Sequence, residues 1–391
     1  MSDSDISGNA TGGAGAPAWF NRQELKILLV FLGGFLLFYF APFDAGVWKE
    51  AVISAFSLLH EYARQHVLTC LVPAFFIAGA IAMFVRKDAV LKYLGSKAKP
   101  LVAYSLASVS GAILAVCSCT ILPLFAGIRK RGAGLGPAVT FLFSGPAINI
   151  AAMFLTISVL GPAIGGARIV MAVILSVVVG VLMQVIFREK TEEGGLLVAE
   201  EEHVEVGKGV TAALFAALVG VLVVNGLQID PGLKWGLMGV GALAAVLIAA
   251  FGLPRKARND WLGETWGFTK MLVPLLAAGV FVAGFIMPFL PEDLITGIVG
   301  SNTVLANFVA AVFGAFMYFS TLTEIPILQA LMAKGMSNGP ALALLLAGPS
   351  LSLPNMLVIR RVLGTKKTVV YVLLVVVLST MVGMAFGWLI G

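Results

Sequence analysis

Long apolar runs fill most of the chain from residue 27 onward, and short polar or basic loops separate them. Runs of roughly 20 apolar residues have the length that an α-helix needs to cross a bilayer. Membrane β-barrel strands instead alternate inward and outward over about 10 residues, and these runs do not alternate. The pattern predicts apolar helical segments at 27–43, 67–85, 100–118, 137–160, 168–187, 209–229, 234–252, 270–290, 303–320, 340–358 and 368–390.

Three stretches depart from this pattern. Residues 47–66 carry more charge and predict an interfacial or partly embedded helix. Residues 1–21 are polar and small, without the basic and apolar regions of a signal peptide, and predict a disordered tail. Residues 188–208 form a hydrophilic linker between two membrane halves. We therefore expect a first half at 22–187 and a second at 209–391, with repeated cores at about 67–187 and 270–390.

The two halves resemble each other when the sequence is shifted by 203 positions. "CSCTILPLFAGIRKRGAGLGPAVTFLFSGPAIN" then aligns without a gap to "STLTEIPILQALMAKGMSNGPALALLLAGPSLS". Pro123 meets Pro326, and Gly145-Pro146 meets Gly348-Pro349. Coincident proline and glycine positions indicate an internal duplication.

Basic residues predict the orientation of the halves, because cytoplasmic loops are enriched in lysine and arginine. The loop at 86–99 holds five basic residues, whereas its counterpart at 291–302 holds none. Equivalent loops on opposite sides indicate an inverted repeat, which is common in secondary transporters. We expect 137–160 and 340–358 to be re-entrant hairpins, with full spans as the alternative. The hairpin topology places Lys334 in the cytoplasm and leaves the basic cluster at 129–131 outside.

Composition supports a membrane protein and excludes several other classes. The chain is 59% hydrophobic and only 12% charged, whereas soluble proteins carry about 25% charged residues. The net charge of +6 is concentrated in short loops and does not indicate nucleic-acid binding. No GxxxxGK[ST] motif is present, so ATP hydrolysis by this chain is not expected. We expect a polytopic all-α protein that needs no cofactor and is not an enzyme.

Helix breaks at membrane depth free backbone N–H and C=O groups that lipid cannot satisfy. Paired breaks in corresponding positions of two halves mark transport sites. The residues at these breaks are therefore candidate substrate contacts: Thr120, Pro123, Ser144, Gly145, Pro146, Asn149, Thr321, Thr323, Gly348, Pro349 and Ser350.

Cys117 and Cys119 add thiols to the first break. Residues i and i+2 point in different directions on a regular helix, but an unwound segment lets both face one cavity. Thiolates bind soft ions and metalloids, and they also carry out redox chemistry. Packing, substrate ligation and redox chemistry remain open for this pair. Cys70 is expected to pack as a small apolar side chain.

The second half has Glu324 where the first half has Ile121. An acid inside a membrane costs about 2.5–3.5 kcal/mol on insertion scales, so it needs a partner or a role. Glu324 is the candidate proton carrier of a coupled transporter. A carboxylate that reaches an interface is the structural alternative.

The segment from Cys117 to Asn149 resembles the signature of the predicted-permease family that includes ArsP-type organoarsenical efflux permeases. The CSC-x3-P, RGAxLGPA and SGPAIN stretches match in order, and the resemblance spans nearly the whole chain. It implies an exporter of a thiophilic substrate such as a trivalent organoarsenical. It also implies that Cys117 and Cys119 contact this substrate, while Gly145, Pro146 and Asn149 shape the pocket.

The expected protein is a multi-pass permease of the bacterial inner membrane, with a cytoplasmic N-terminus and proton-coupled export. Its partners are lipid and a small-molecule or metalloid substrate, and homo-oligomerisation stays open. A permease for another sulfur compound, anion or metal ion is the first alternative. A thiol oxidoreductase that uses Cys117 and Cys119 is an alternative from another class, and a channel is a third.

Overall fold

The structure is a computed structural model that describes residues 46–390, apart from 86, 96–97, 114–117, 149, 189–205, 227–229, 290–296 and 318–323. The described residues are mostly helical, with short turns between the helices, and contain no β-strand. The helices are Gly46–Tyr62 (α1), Val72–Phe84 (α2), Lys87–Leu94 (α3), Pro100–Ile113 (α4), Ser118–Lys130 (α5), Leu135–Ala147 (α6), Ile150–Leu160 (α7), Pro162–Ile186 (α8), Lys208–Gly226 (α9), Pro231–Leu247 (α10), Arg255–Ile286 (α11), Val304–Phe316 (α12), Glu324–Ala333 (α13), Asn338–Leu351 (α14), Leu353–Leu363 (α15) and Thr365–Ile390 (α16).

Several of these helices have the length and apolarity to cross a membrane. Among the described residues, five helical runs qualify, and seven qualify if each of two bent helix pairs counts as one span. The five runs are Gly46–Phe84, Pro162–Ile186, Pro231–Gly252, Arg255–Phe289 and Thr365–Ile390. The predicted all-α polytopic membrane fold is confirmed.

The polar stretch at 47–66 is not a separate helix. It belongs to one helical run from Gly46 to Phe84, in which the π-helical segment Ala63–Leu71 joins α1 to α2. The predicted boundary at residue 67 therefore lies inside a continuous helix.

The helix boundaries of the two halves repeat at the spacing found in the sequence. Helices α14, α15 and α16 each begin 203 positions after α6, α7 and α8. The connecting turns repeat too, because Gly132 and Gly335 have φ of 93° and 106°, and Gly161 and Gly364 have φ of 91° and 83°. These backbone conformations disfavour residues with a side chain, so glycine is required at both copies of each turn.

The repeated helices form the buried centre of the protein. Every residue of α6 is buried, and α14 is buried along most of its length. Helix α6 packs between α4 and α8, and α14 packs in the same way between α12 and α16.

Contacts between the halves are reciprocal. Helix α7 of the first half packs on α13 of the second, and α15 of the second half packs on α5 of the first. Two copies related by a two-fold axis produce this exchange of equivalent contacts. Inversion of the halves relative to a membrane stays a prediction.

The predicted hairpin segments bend without turning back. The helices of the α6–α7 pair and of the α14–α15 pair each meet at 49°. Gly145-Pro146 and Gly348-Pro349 lie inside α6 and α14, and the bends follow them, with Ser352 between α14 and α15. A hairpin needs a reversal of the chain, so hairpin turns at these glycine–proline pairs are wrong.

The basic cluster at 129–131 lies beside two other basic segments. The Gly134 N–H, in the turn after this cluster, donates to the Leu94 carbonyl at 2.7 Å. Lys130 forms an ion pair with Glu264 near the start of α11. The cluster therefore shares a side of the protein with the 86–99 loop and the 254–270 segment. Its predicted placement on the opposite side is wrong.

The equivalent turn of the second half has equivalent contacts. The Ser337 N–H donates to the Val299 carbonyl at 3.0 Å, and its Oγ donates to the Gly300 carbonyl at 2.7 Å. Lys334, three residues earlier, therefore lies near the segment that follows the acidic loop. The prediction that Lys334 and the 291–302 loop lie on opposite sides is wrong.

Candidate functional site

Glu324 is the first residue of α13, and its side chain is only 1% exposed. The sequence left open that the Glu324 carboxylate reaches an interface with water. Its burial inside the protein excludes this alternative. Helix α13 packs against α7 of the first half and α14 of its own half. The acid therefore lies where the two halves meet.

Arg168 faces this acid from α8 and is fully buried. Its Nη2 lies 3.5 Å from Glu324 Oε2. Removing two charges from water costs several kcal/mol per ion, and mutual attraction offsets the cost only in good geometry. Because Arg168 belongs to the first half and Glu324 to the second, the ion pair joins the halves electrostatically.

Thr156 fixes the orientation of the arginine. Arg168 Nη1 donates to Thr156 Oγ1 at 2.9 Å, and that hydroxyl donates to the Ala152 carbonyl at 2.6 Å. The hydroxyl thus acts as acceptor and donor at once, which uses its proton and one of its lone pairs. The guanidinium is held from one side by α7.

The ion pair leaves several polar atoms without hydrogen bonds. Among the described residues, Arg168 Nε and Nη2 and both carboxylate oxygens of Glu324 have no hydrogen-bond partner. Buried polar groups are nearly always bonded, so unbonded ones need an explanation such as a functional role. Charged atoms carry the largest penalty when they stay unbonded.

Gly348 lies directly against the acid. A Cβ built on this glycine would be 2.9 Å from Glu324 Oε1, which is too close for a side chain. Gly348 itself is partly exposed although its neighbours in α14 are buried, so open space lies beside this part of the helix. The predicted site residues Gly348 and Glu324 are therefore in contact.

The bend between α14 and α15 also holds buried polar atoms. Ser352 Oγ and Asn355 Oδ1 have no hydrogen-bond partner among the described residues. Ser352 lies four residues after Gly348, which is about 6 Å along a helix. Buried polar atoms without hydrogen bonds therefore extend from the ion pair to the helix break of the second half.

The hydroxyls of Ser144 and Ser350 donate hydrogen bonds to backbone carbonyls and do not face open space. Ser144 Oγ lies 3.2 Å from the Ala107 carbonyl and 3.3 Å from that of Phe141. Ser350 Oγ is 3.5 Å from the Leu346 carbonyl, and the Ser350 carbonyl accepts from the buried Tyr371 hydroxyl at 3.4 Å. These contacts stabilise α6 and α14 inside the protein.

The thiol-bearing helix α5 lies elsewhere around the centre. Cys119 and Thr120 are buried near its start, and Pro123 lies inside it. Helix α5 packs against α2, α6 and α15, whereas Glu324 lies on α13, next to α7 and α14. By the repeat, the positions of α5 and α13 are equivalent, so Cys119 and Glu324 lie on corresponding helices of the two halves.

Cys117, Asn149, Thr321 and Thr323 lie outside the described residues, so their predicted roles stay predictions. Gly145 and Pro146 are buried in α6, and Pro349 is buried in α14. Within the part of the chain that the structure describes, no cluster of three or more histidine, cysteine or acidic residues could hold a metal ion.

Sequence reasoning missed Arg168. The predicted segment at 168–187 begins at this residue, whereas Arg168 is the seventh residue of α8 and is followed by 18 further helical residues. The repeat held a second signal, because Arg168 aligns with Tyr371, and both side chains are fully buried. A charge at a position that the other half fills with tyrosine marks an asymmetric polar site.

Comparisons with known proteins agree with the signature. The family model described as a predicted permease matches residues 52–388. The chain is similar to UPF0718 protein MJ0584 of Methanocaldococcus jannaschii, with 42% identity over 84% of this chain and 93% of that protein. It is also similar to UPF0718 protein YraQ of Escherichia coli, with 24% identity over 83% of this chain and 78% of that protein. No solved structure gives a significant match.

Proposed function

This chain belongs to the predicted permease family, and from that premise we propose that it is a secondary permease that exports a thiophilic solute. A trivalent organoarsenical fits the thiols at the first break. Cys117 and Cys119 contact this solute, and Glu324 carries the proton that drives its export.

The buried Arg168–Glu324 pair between two equivalent broken helices is the observation that carries the proposal. A charge inside a membrane protein is costly and marks a substrate or proton pathway by default. Paired helix breaks in two repeats point to the same place. Permeases need polar groups at such a place, because a solute must leave water there.

Helix lengths support a revised topology. Helices α4 and α5 have 14 and 13 residues, or about 21 and 20 Å, which is too short to cross a hydrocarbon core of about 30 Å. The turn after α5 lies beside the loop before α4, through the bond between Gly134 and Leu94. The α4–α5 segment therefore enters from the cytoplasmic side and returns to it. Cys119 then lies at membrane depth.

The second half follows the same scheme from the other side. Helices α12 and α13 have 13 and 10 residues, and the turn after α13 contacts the segment before α12. Glu324 at the start of α13 is then at membrane depth. The bent α14–α15 pair crosses back, which brings Arg360, Arg361, Lys366 and Lys367 to the cytoplasm, in line with the enrichment of basic residues there.

This topology has inverted halves and a cytoplasmic N-terminus, and the linker at 188–208 is also cytoplasmic. The protein resides in the cytoplasmic membrane, which is the inner membrane of a Gram-negative bacterium. A transporter rather than an enzyme is the function that family membership favours.

Uptake of methylarsonous acid into everted membrane vesicles tests the function. Vesicles that contain the protein are expected to accumulate the arsenical when the vesicle interior is more acidic than the medium. The double variant Cys117→Ser/Cys119→Ser is expected to lose this uptake, and Glu324→Gln is expected to lose its dependence on the gradient.

Cys70→Ser is the matched control, because Cys70 is buried in the π-helical segment and accepts a hydrogen bond from Asn225, away from the breaks. Its uptake is expected to match that of the wild type. Uptake that survives in the Cys117/Cys119 double variant removes the thiol mechanism, and absence of uptake by the wild type removes the arsenical.

A further inference from the structure

We propose that Arg168 is a binding site for an anionic solute with paired oxygens, a carboxylate or an oxyanion, and that the Glu324 carboxylate occupies this site when no solute is bound. The inference rests on the proposed permease function for the route across the membrane. It does not rest on the arsenical as cargo.

The open edge of the guanidinium carries the argument. Nε and Nη2 form one edge of the planar group, and this edge donates two parallel hydrogen bonds to a carboxylate or phosphate. In the protein, both atoms lack hydrogen bonds among the described residues, while Nη1 is held by Thr156. The anchoring bond uses the nitrogen outside that edge and leaves the bidentate edge unused.

Glu324 lies near this edge but does not form hydrogen bonds with it. Its Oε2 is 3.5 Å from Nη2, whereas charge-assisted N–H···O bonds are about 2.7–2.9 Å. A structural ion pair in a protein interior is expected to be bidentate and fully bonded, because partial bonding leaves the desolvation cost uncompensated. A carboxylate that is attracted but not fully bonded is a competitor that a better-placed anion can displace.

The surroundings give the acid somewhere to move. Gly348 of α14 lies against Glu324 Oε1 and has no side chain of its own, and it is partly exposed although its neighbours in α14 are buried. The bend at Ser352 follows within about one helical turn. Movement of α15 relative to α14 at this bend would change the space beside the carboxylate without unfolding either helix.

Among the described residues, the helices packed around the pair supply no other ionised group close to it. Helices α6, α7, α12 and α14 contain no titratable side chain, and Arg168 and Glu324 are the only ones in α8 and α13. Helices α4 and α16 add Tyr104 and Tyr371, while Lys366 and Lys367 lie in the first turn of α16. When Glu324 takes up the transported proton, Arg168 is left without a counter-charge in this part of the protein. An incoming anion restores neutrality.

Formate is a suitable probe, because it is the smallest carboxylate and has the same head group as the glutamate side chain. The purified full-length protein in detergent is titrated with sodium formate, and its thermal unfolding midpoint is followed against sodium chloride at equal ionic strength. A ligand that binds the folded state stabilises it by RT ln(1 + [L]/Kd), so the rise of the midpoint with formate concentration gives the half-saturating concentration.

Glu324→Gln removes the competing charge and is expected to lower the half-saturating formate concentration at least tenfold relative to the wild type. The double variant Arg168→Gln/Glu324→Gln is expected to show no rise beyond chloride. Glu264→Gln, which removes an acid paired with the exposed Lys130, is the control and is expected to respond as the wild type does. An equal formate response in the double variant, or none in Glu324→Gln, overturns the proposal.

Arg168→Lys provides a second test that does not need Glu324→Gln to fold. Lysine keeps the charge but lacks the planar fork, so the ion pair persists while bidentate binding is lost. We expect at least a tenfold loss of formate affinity with an unfolding midpoint in ligand-free buffer close to that of the wild type. Formate affinity equal to that of the wild type overturns the proposal.

The same proteins in vesicles separate this inference from the permease function. Formate binding that depends on Arg168, together with no arsenical uptake by the wild type, removes the arsenical and supports the anion site. Arsenical uptake that is unaffected in Arg168→Lys, with no formate binding by any variant, supports the permease and removes the anion site.

Discussion

Removing one partner of the Arg168–Glu324 pair is expected to destabilise the protein far more than removing both. At 3.5 Å and an effective dielectric constant of 20, two unit charges attract by about 5 kcal/mol. Desolvation opposes this attraction by several kcal/mol per ion, so the net contribution of the pair is small. A single substitution removes the attraction and leaves the remaining charge buried.

Breaking a buried pair costs about 3–5 kcal/mol, whereas replacing both partners is often neutral. We therefore expect Glu324→Gln to lower the free energy of unfolding by about 3–5 kcal/mol, and Arg168→Gln/Glu324→Gln to stay within about 1 kcal/mol of the wild type. Arg168→Gln is expected to cost less than Glu324→Gln. The remaining glutamate can bind a proton, whereas an arginine cannot release one.

Unfolding of the purified protein in mixed micelles, followed by circular dichroism at neutral pH, measures these free energies. The four proteins form a double-mutant cycle, and the coupling energy is the departure of the double variant from the sum of the singles. Single substitutions that cost less than about 1 kcal/mol, or costs that simply add, would show that the charges do not interact and would refute the reasoning.

Two further substitutions test the packing of the repeated centre, again by the free energy of unfolding. Gly383→Ala places a Cβ 2.6 Å from the backbone oxygen of Gly339, so it is expected to lower the free energy of unfolding by about 1–3 kcal/mol. Gly220→Ala is the control, because a Cβ at that position meets nothing within 4 Å and is expected to cause no loss of stability. Tyr371→Phe removes a 3.4 Å bond to a backbone carbonyl and keeps the ring, so a cost below about 1 kcal/mol is expected, and a cost near 3 kcal/mol would contradict this weak bond.

The hydrophobic pattern predicted the fold class because helix length and apolarity suffice to identify membrane helices. The 203-residue repeat also recurs in the structure, because glycine is required at turns with positive φ, and these turns keep the copies in register. The course of the chain at the glycine–proline pairs was not predictable in the same way. Proline at 146 and 349 sits inside buried helices, and neighbouring helices at membrane depth tolerate it.

The candidate site was predictable only in part. Glu324 stood out because an acid within an apolar run is costly, and it is buried as expected. Arg168 is the first residue of the predicted segment 168–187, and the sequence alone assigned it no role. Which face of α8 meets α13 depends on tertiary packing, and one sequence does not contain that information.

The asymmetry between the halves explains why the pair is suited to a cyclic process. The first half has Arg168 and Ile121 where the second half has Tyr371 and Glu324, so each of these two buried charges has its counter-charge in the other half. Each such charge costs about 2.5–3.5 kcal/mol in a membrane helix, and contact between the halves offsets that cost. A movement that separates the halves restores the cost unless a proton neutralises Glu324 or an anion binds Arg168. In the proposed transport cycle, motion of the halves is therefore coupled to the binding of a small ion, as a secondary permease requires.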